Sequence, residues 1–543
     1  MGFKSFPVYR LESLIGEKTL KGISTLLPVF DHNIDIDNIY TKNNLIKVIF
    51  SFFDSSEFSK NELRNEFLFY QNEDKINAFC DLIKIDRTLQ FDKKVNLIVS
   101  KGWSNKGFCS LFCKTFELPE KFIPESKENL PNVLLASKSD RPFKVLKDYQ
   151  SVICFKALRK LDYNNSRFIL QMPTGTGKTR TAMEVVSNQF NQIEKSCVIF
   201  WLVNSEELCE QAVECFLDVW EHVGNKDVKV VRAWGKNKIQ LDENDRFTFI
   251  VGGFQKLYNN LSKDPDFFHT LKEHVNLIIV DEAHRVLAPT YKAVTDSLFG
   301  KKCNLIGLTA TPGRGAFDDF ENQKLSEYFN EEKLVIESPN NISLFSYLKS
   351  KGILSYAKYK SLITSPNIEL TKKELGYLET NFDFSPSFIK SFGEDNTRNF
   401  EIIKEFLIKL KTHKKALFFA CSVEHSKFIC STLNYLGIEA SHIDGNTKKG
   451  TRQFILDEFK FGNLQVICNF GILSTGFDAP KTDLVFIARP TQSIVLYSQM
   501  IGRGLRGKEV GGTENCTIVT VKDNIIGLPS ESNIFSYFDD YFE

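Results

Sequence analysis

The chain contains 543 residues, of which 42% are hydrophobic and 25% are charged. This length predicts several domains that each bury a core, and the composition excludes an intrinsically disordered or fibrous protein. The formal net charge is only +1, so any binding of nucleic acid must depend on a local basic groove and not on an overall positive charge.

The twelve cysteines are scattered along the chain, and several lie in apolar runs typical of buried strands or helices, which predicts reduced thiols. Cys109 and Cys113 are close in sequence, but no second Cys or His pair follows at the spacing of a zinc site. The N-terminus lacks the apolar core of a signal peptide, and no apolar run approaches membrane-spanning length. We therefore expect a cytoplasmic protein without a membrane partner.

Residues 1–135 show mostly helical periodicity and are predicted to form a separate helical domain. Residues 43–53 are typical of a buried helix, and Ser59 and Glu62 have the spacing of a capping box. Acid–x–Lys triplets at 92–94 and 125–127 are compatible with a nuclease, but such triplets are common in a chain with 69 basic and 68 acidic residues. The interpretation as a solvated helix face or loop is preferred, and the role of this domain stays unassigned. A polar, proline-punctuated linker is predicted at 124–142.

Residues 168–179 indicate a strand, a glycine-rich loop and the start of a helix. Gly175 and Gly177 allow successive backbone N–H groups to face one anion at the helix N-terminus, where the helix dipole also favours negative charge. Lys178 is expected to reach the β- and γ-phosphates of a nucleotide, and the Thr179 hydroxyl to ligate Mg²⁺. The pattern departs from the usual P-loop at its first position, which is Met172. A glycine-rich turn before a core helix is the alternative interpretation.

Gln150 precedes this strand, and its amide can offer a donor and an acceptor to the edge of adenine. A capping or surface glutamine is the alternative. After the P-loop, apolar strands at 197–203, 228–231, 247–251 and 277–280, and another from 304, alternate with helices. Continuous apolar strands between helices predict a parallel sheet covered on both faces, so we expect an α/β domain at 140–335.

The strand at 277–280 ends in the sequence Asp281-Glu-Ala-His284. Catalytic groups are expected at the carboxyl ends of parallel strands. Asp281 is therefore predicted to hold Mg²⁺ through water, opposite Thr179, and Glu282 to orient or deprotonate the attacking water. His284 is expected to link the γ-phosphate side to the second half of the molecule, unless it is simply a residue at a helix start.

The next strand ends in a hydroxyl-rich turn, where Thr309 and Thr311 can change hydrogen-bond partners when a phosphate is lost. Residues 336–395 have an irregular pattern and are predicted to connect two lobes. A second alternating pattern at 396–525, with strands at 416–420, 440–444, 464–468 and 482–488, predicts another parallel α/β domain that has no P-loop. Residues 526–543 are expected to form a C-terminal tail.

Two arginines, Arg503 and Arg506, lie three residues apart on a predicted helix of this second domain. Residues at this spacing project in the same direction, which suits them to a phosphate supplied by the first domain. An arginine finger of this kind contributes roughly 10³ to 10⁵ in rate. A basic, solvated helix face is the alternative interpretation.

In their order, these motifs resemble those of superfamily 2 helicases with a DEAH box, over about residues 140–525. The residues at 281–284 differ from the Asp-Glu-Ala-Asp of the common RNA helicases. Segments 308–314, 476–480 and 499–506 are most similar to the branch with type I and type III restriction motor subunits and excision-repair helicases. The resemblance implies an α/β fold of two tandem RecA-like parallel-sheet domains, preceded by the mostly α-helical domain, with ATP and Mg²⁺ between the two.

The resemblance also assigns roles to individual residues of this sequence. Catalytic roles are implied for Glu282, Gln499, Arg503 and Arg506. Contacts with the nucleotide are implied for Gln150, Thr174, Gly175, Thr176, Gly177, Lys178, Thr179, Asp281, His284, Gly476 and Asp478. Contacts with the nucleic-acid backbone are implied for Asn204, Ser205, Gly253, Ser422, Ser474 and Thr475, and small polar residues of this kind fit a sequence-independent motor.

We therefore predict an ATP-dependent DNA helicase or double-stranded DNA translocase. No nuclease or methylase sequence is recognised, so a partner subunit that supplies an effector is expected, as in a bacterial defence or repair complex. The branch favours DNA over RNA as the nucleic-acid partner. Two alternatives stay open: an RNA helicase or double-stranded-RNA-dependent ATPase, and a nucleic-acid-gated ATPase switch that does not translocate.

Overall fold

The computed structural model of the protein describes residues 2–30, 40–53, 55–124, 131–138, 141–237, 239, 246–310, 319–339, 342–366, 368–381, 383–472, 481–491 and 493–523. All twelve cysteines lie in these ranges and are free thiols, as the sequence predicts. No helix within these ranges combines the length and apolarity needed to cross a membrane.

The N-terminal part of the chain is helical where the structure describes it. Its core is rich in phenylalanine, and the Phe3–Phe67 and Phe58–Phe67 ring pairs meet edge to face with centroids 5.2 Å apart, a favourable arrangement of ring quadrupoles. The helices are α1 (Val8–Ile15), α2 (Glu17–Phe30), α3 (Lys42–Phe52), α4 (Ser55–Phe58), α5 (Asn61–Phe69), α6 (Glu73–Leu82), α7 (Phe91–Ser100) and α8 (Lys106–Thr115).

The first lobe is built on one sheet within residues 133–335. Its described strands are β1 (Val133–Ala136), β2 (Arg167–Gln171), β3 (Cys197–Val203), β4 (Val228–Ala233), β5 (Phe247–Gly253), β6 (Val275–Asp281), β7 (Asn304–Thr309) and β8 (Lys333–Val335). They lie in the order β1-β4-β5-β3-β6-β7-β2-β8. Neighbouring strands are parallel except β1 and β4.

Helices cover both faces of this sheet, which explains why every residue of β3 is buried. The helices are α9 (Asp148–Leu161), α10 (Lys178–Gln192), α11 (Glu206–Val223), α12 (Phe254–Lys263), α13 (Pro265–Lys272), α14 (Pro289–Leu298) and α15 (Asp319–Tyr328).

The second lobe is built on a parallel sheet within residues 356–523. Its described strands are β9 (Tyr356–Thr364), β10 (Ala416–Phe419), β11 (Ala440–Ile443), β12 (Val466–Asn469), β13 (Leu484–Ile487) and β14 (Asn515–Asp523), in the order β11-β12-β10-β13-β14-β9. The helices before and around it are α16 (Leu344–Ser350), α17 (Lys372–Asn381), α18 (Pro386–Glu394), α19 (Asn396–Leu410), α20 (Val423–Tyr435), α21 (Lys449–Phe461) and α22 (Ile494–Ile501). The predicted fold class, two RecA-like parallel-sheet domains after an α-rich N-terminal region, is confirmed.

The N-terminal helices pack against the second lobe. Their apolar core is continuous with that of the second lobe. At the junction of α3 and α20, the Ser51 and Ser431 hydroxyls lie 3.0 Å apart, and the Asn44 amide donates to the Tyr435 hydroxyl at 3.3 Å. The periodicity of a helix shows that it has an apolar face but not which surface that face covers.

The segment at 336–395 also does more than connect the lobes. It contributes β9, the edge strand of the second sheet, which pairs in parallel with β14 along its whole length. Most β9 side chains are exposed, including Lys358 and Lys360. An edge strand of this kind lacks the continuous apolar run of a central strand, which is why its sequence is irregular.

Candidate active site between the two lobes

The P-loop connects β2 to α10 and depends on two glycines. Gly175 and Gly177 have φ angles of +87° and +81°, a region that other residues adopt only with strain. A Cβ atom on Gly177 would also lie 2.4 Å from the amide nitrogen of Gln150. The Thr176 hydroxyl tightens the turn by donating to the Pro173 carbonyl at 2.7 Å. The loop therefore presents backbone N–H groups at the start of α10, which fits a phosphate group.

Gln150 braces this loop from α9. Its Oε1 accepts a hydrogen bond from the Lys147 backbone N–H at 3.0 Å, and its Nε2 donates to the Thr176 carbonyl at 3.2 Å. The Tyr149 hydroxyl donates to the same carbonyl at 2.8 Å. Both polar ends of the Gln150 amide thus engage the chain itself, and its contact with adenine stays a prediction.

Two carboxylates from the end of β6 face the P-loop lysine. The Lys178 ammonium lies 3.5 Å from Oδ1 of Asp281 and 3.9 Å from Oε1 of Glu282. Glu282 has a φ of +56°, and its backbone N–H donates to Oδ1 of Asp281 at 3.0 Å. A non-glycine residue in this region is strained, and such strain is concentrated at functional sites. The turn places the two carboxylates side by side, as the predicted roles require.

Burial and charge compete at this cluster. Burial favours the neutral form of Lys178, but attraction to Glu282 and Asp281 outweighs it and raises the pKa of the lysine. Burial raises the pKa of Asp281, against the attraction of Lys178. The ammonium is therefore held charged at neutral pH, as a ligand for phosphate oxygens must be.

A magnesium ion would be held here by few protein atoms. Thr179 lies in the first turn of α10, and Asp281 lies at the carboxyl end of β6. In the described ranges, no group of three or more His, Cys, Asp or Glu side chains could hold a metal. Mg²⁺ commonly takes one or two protein ligands and completes its shell with water and substrate phosphates, so Thr179 and Asp281 fit this ion.

The second lobe completes the site with two arginines. The α22 helix ends at Ile501, so Arg503 and Arg506 lie after this helix and not on it, contrary to the sequence-based prediction. A Cβ atom on Gly502 would lie 2.4 Å from Cγ2 of Thr174 in the P-loop, and the Arg506 side chain packs against Gly175. Burial lowers the pKa of Arg503 to about 10, although attraction to Glu282 opposes this shift. The glycine contacts place Gly502 and Arg506 of the second lobe against the P-loop of the first, and the charge of Arg503 is close enough to Glu282 for the two to attract.

His284 lies between the acidic turn and the lobe interface. Its Nδ1 atom is 3.4 Å from Oε2 of Glu282 and 3.5 Å from the Thr309 hydroxyl. It also lines an inter-lobe cavity of about 520 Å³, together with Gln499 of α22 and Asn204 after β3. The structure thus brings His284 and Gln499 together, whereas Thr311 lies outside the described residues.

Sequence reasoning missed most of the residues that line this cavity, among them Asp383 and Arg489. Arg489 directly follows the strand predicted at 482–488, so its position after a parallel strand was an available signal. Asp383 belongs to the segment at 336–395, where no sequence pattern indicated a site.

Two of the expected nucleic-acid contacts are also helix caps. The Ser205 hydroxyl accepts from the Leu208 backbone N–H at 3.3 Å, and the Ser422 hydroxyl accepts from the His425 backbone N–H at 3.0 Å. Gly253 ends β5, next to α12. These residues and Asn204 follow parallel strands at the carboxyl ends of the two sheets. Their contact with nucleic acid stays a prediction, and four other assigned residues lie outside the described ranges: Ser474, Thr475, Gly476 and Asp478.

Comparison with protein families identifies the two lobes that form this site. A model of the type III restriction enzyme res subunit matches residues 143–314, and a model of the helicase conserved C-terminal domain matches residues 398–508. The chain thus carries the two domains of a superfamily 2 helicase motor. The two lobes of this helicase are thus the ATPase motor, and the resemblance to restriction motor subunits is confirmed.

Several relatives of this helicase are known. It is 28% identical to the ATP-dependent helicase IRC3 of Saccharomyces cerevisiae over 67% of this chain and 49% of that protein. It is 28% identical to a 51.5 kDa protein of a Lactococcus phage over 69% of this chain and 70% of that protein. The match to the EcoAI type I restriction endonuclease subunit of Escherichia coli is 24% identical, over 69% of this chain and 46% of the subunit. The chain thus matches about half the length of the yeast and E. coli proteins.

A fragment of an HsdR subunit of a type I restriction enzyme from Vibrio vulnificus superposes with a TM-score of 0.49 at 17% identity, covering 73% of this chain and 66% of that one.

Proposed function

We propose that this helicase is an ATP-driven DNA helicase or double-stranded DNA translocase. The observation that carries the proposal is the composite site, in which Gly502 and Arg506 of the second lobe lie against the P-loop of the first and the charge of Arg503 attracts Glu282. A site of this kind is complete only when the lobes are together, so turnover is linked to their opening and closing. Alternation between the two states would move the protein along a strand.

Each residue of the site has a chemical task in this proposal. Lys178 and the P-loop N–H groups bind the phosphates, while Glu282 orients or deprotonates the attacking water. Thr179 and Asp281 would hold Mg²⁺, which would neutralise charge on the phosphates. Arg503 and Arg506 stabilise negative charge in the transition state.

The choice of DNA rests on relatives. The motor resembles the res subunit of type III restriction enzymes, and a protein named as an ATP-dependent DNA helicase, MPH1 of Pyricularia oryzae, is 29% identical over 221 residues. A rice protein named as an RNA helicase is 25% identical over 232 residues, which supports RNA as the second candidate. The likeness to restriction subunits also supports a partner subunit that carries an effector, in a defence or repair complex.

The test is the steady-state ATPase rate without nucleic acid and with single-stranded DNA, duplex DNA or duplex RNA. We expect stimulation by DNA that is lost in Glu282→Gln and in Lys178→Ala. Stimulation by RNA alone would replace DNA with the second candidate. Normal turnover in Lys178→Ala would refute the assignment of the P-loop.

A triplex-displacement assay separates movement from switching. A translocase removes a third strand from duplex DNA in the presence of ATP, whereas a nucleic-acid-gated ATPase switch hydrolyses ATP and leaves it in place. ATPase activity without displacement would therefore overturn translocation but not the ATPase site.

A further inference from the structure

The inter-lobe cavity of about 520 Å³ has features of a binding site. Its walls come from both lobes. The first lobe contributes Asn204, which follows β3, and Arg285, which follows β6. The second lobe contributes Arg489, which follows β13, and Gln499, which lies in α22. Ligands of open parallel sheets bind at these carboxyl ends. A group bound here would touch both lobes at once.

The walls supply hydrogen-bond donors that lack acceptors. Gln499 is only 7% exposed, and among the described residues its Nε2 has no hydrogen-bond partner. The Nε of Arg489 is buried and equally without an acceptor in that part of the chain. The exposed Arg285 adds a second positive charge to the lining. Buried donors without acceptors are unfavourable, so the cavity suits a ligand with several acceptor oxygens and negative charge.

The carboxylate of the lining residue Asp383 lies beside Arg489, in a position that the anionic group of such a ligand could occupy. Its Oδ2 lies 3.6 Å from Nη2 of Arg489 and accepts a hydrogen bond from the Thr491 hydroxyl at 3.3 Å. A carboxylate and a phosphate bind a guanidinium in the same way. Asp383 is thus an internal competitor for Arg489.

We propose that this cavity binds one phosphate group through Arg489 and Gln499, and that Asp383 competes with it for Arg489. The inference rests on the proposed function, since the expected source is a phosphodiester of the nucleic-acid strand. The alternative source of the phosphate group is inorganic phosphate released by ATP hydrolysis. His284 is also in the wall and lies 3.4 Å from Glu282, so a phosphate bound here would be separated from the acidic turn by one side chain.

The first test measures DNA binding by fluorescence anisotropy over a series of salt concentrations. Loss of one phosphate contact lowers the slope of log K against log salt by about 0.9 for duplex DNA. We expect this decrease in Arg489→Gln, with affinity weakened by roughly tenfold or more, and tighter binding in Asp383→Asn. Arg87→Gln removes the same charge from an exposed side chain of the N-terminal helices and should behave as wild type.

A second test identifies the source of the phosphate. DNA in which one linkage at a time is a neutral methylphosphonate should bind the wild type more weakly at one position, and Arg489→Gln should not respond at that position. If inorganic phosphate is the source, no linkage distinguishes the two proteins, and product inhibition of the ATPase by inorganic phosphate is weaker in Arg489→Gln.

The proposal is overturned if Arg489→Gln and Asp383→Asn, folded by thermal melting, keep the wild-type salt slope and the wild-type inhibition by phosphate. Failure of the proposed function has a different result, because the wild type itself would then show neither DNA binding nor stimulation. The phosphate-inhibition arm still tests the cavity in that case.

Discussion

Replacement of Arg503 by glutamine tests whether the second lobe takes part in hydrolysis. The side chain is 8% exposed, and burial lowers its pKa to about 10, against the attraction of Glu282. It therefore carries a full positive charge at pH 7 and is poorly screened by water. An arginine in this position contributes roughly 10³ to 10⁵ in rate.

We expect a decrease in kcat near the lower end of that range, about 10³, because Arg506 remains to stabilise part of the charge. This equals about 4 kcal/mol of transition-state stabilisation, at about 1.4 kcal/mol for each factor of ten. Arg503→Lys should also be impaired, since an ammonium keeps the charge but lacks the planar fork of donors.

The assay is steady-state hydrolysis at saturating ATP and nucleic acid, with thermal melting to verify folding. Arg87→Gln, which removes an arginine that is 66% exposed, is the matched control and should retain wild-type turnover. A folded Arg503→Gln variant whose kcat stays within tenfold of wild type would refute the composite site.

Three further substitutions test the P-loop and the buried polar groups of the second lobe. Gly177→Ala should reduce stability by more than the roughly 1 kcal/mol of strain at a positive φ, because the added Cβ atom would lie 2.4 Å from the amide nitrogen of Gln150. The control in thermal melting is Gly437→Ala, since Gly437 has a φ of +79° and an added Cβ atom would have no other atom within 4 Å. Asp523→Asn should lower the free energy of unfolding by about 3–5 kcal/mol, because it leaves the fully buried Arg398 without a counter-ion. An unchanged urea midpoint would contradict this. Burial lowers the pKa of His425 to about 3, so the unfolded chain takes up a proton below about pH 6.5 that the folded chain does not. Wild-type stability should accordingly be full above pH 6.5 and fall by about 1.4 kcal/mol per pH unit below it, relative to His425→Gln, in urea titrations at pH 7, 6 and 5; parallel pH profiles of the two proteins would disprove this.

The central strands and the P-loop could be predicted because their causes are local. The strand predicted at 197–203 is β3 with the same bounds, since a strand buried on both faces must be apolar throughout. The two P-loop glycines were recognisable because only glycine readily adopts a positive φ. The pair Asp281 and Glu282 was recognisable because it directly follows an apolar strand.

Other features depend on which surfaces meet, and no local pattern determines this. The edge strand β9 is mostly exposed, so its sequence lacks the apolar run that identifies a central strand. Asp383 gained its significance only when folding placed it beside Arg489, although the two are far apart in the chain.

By itself, the sequence determined that this protein has two α/β lobes, with a phosphate loop and an acidic turn in the first and two spaced arginines in the second. Only the tertiary structure decided that the N-terminal helices share a core with the second lobe. It also decided that the arginines reach the P-loop and that a donor-lined cavity lies between the lobes. The physical reason is that strands and phosphate loops follow from neighbouring residues, whereas docking depends on the match between surfaces distant in the chain.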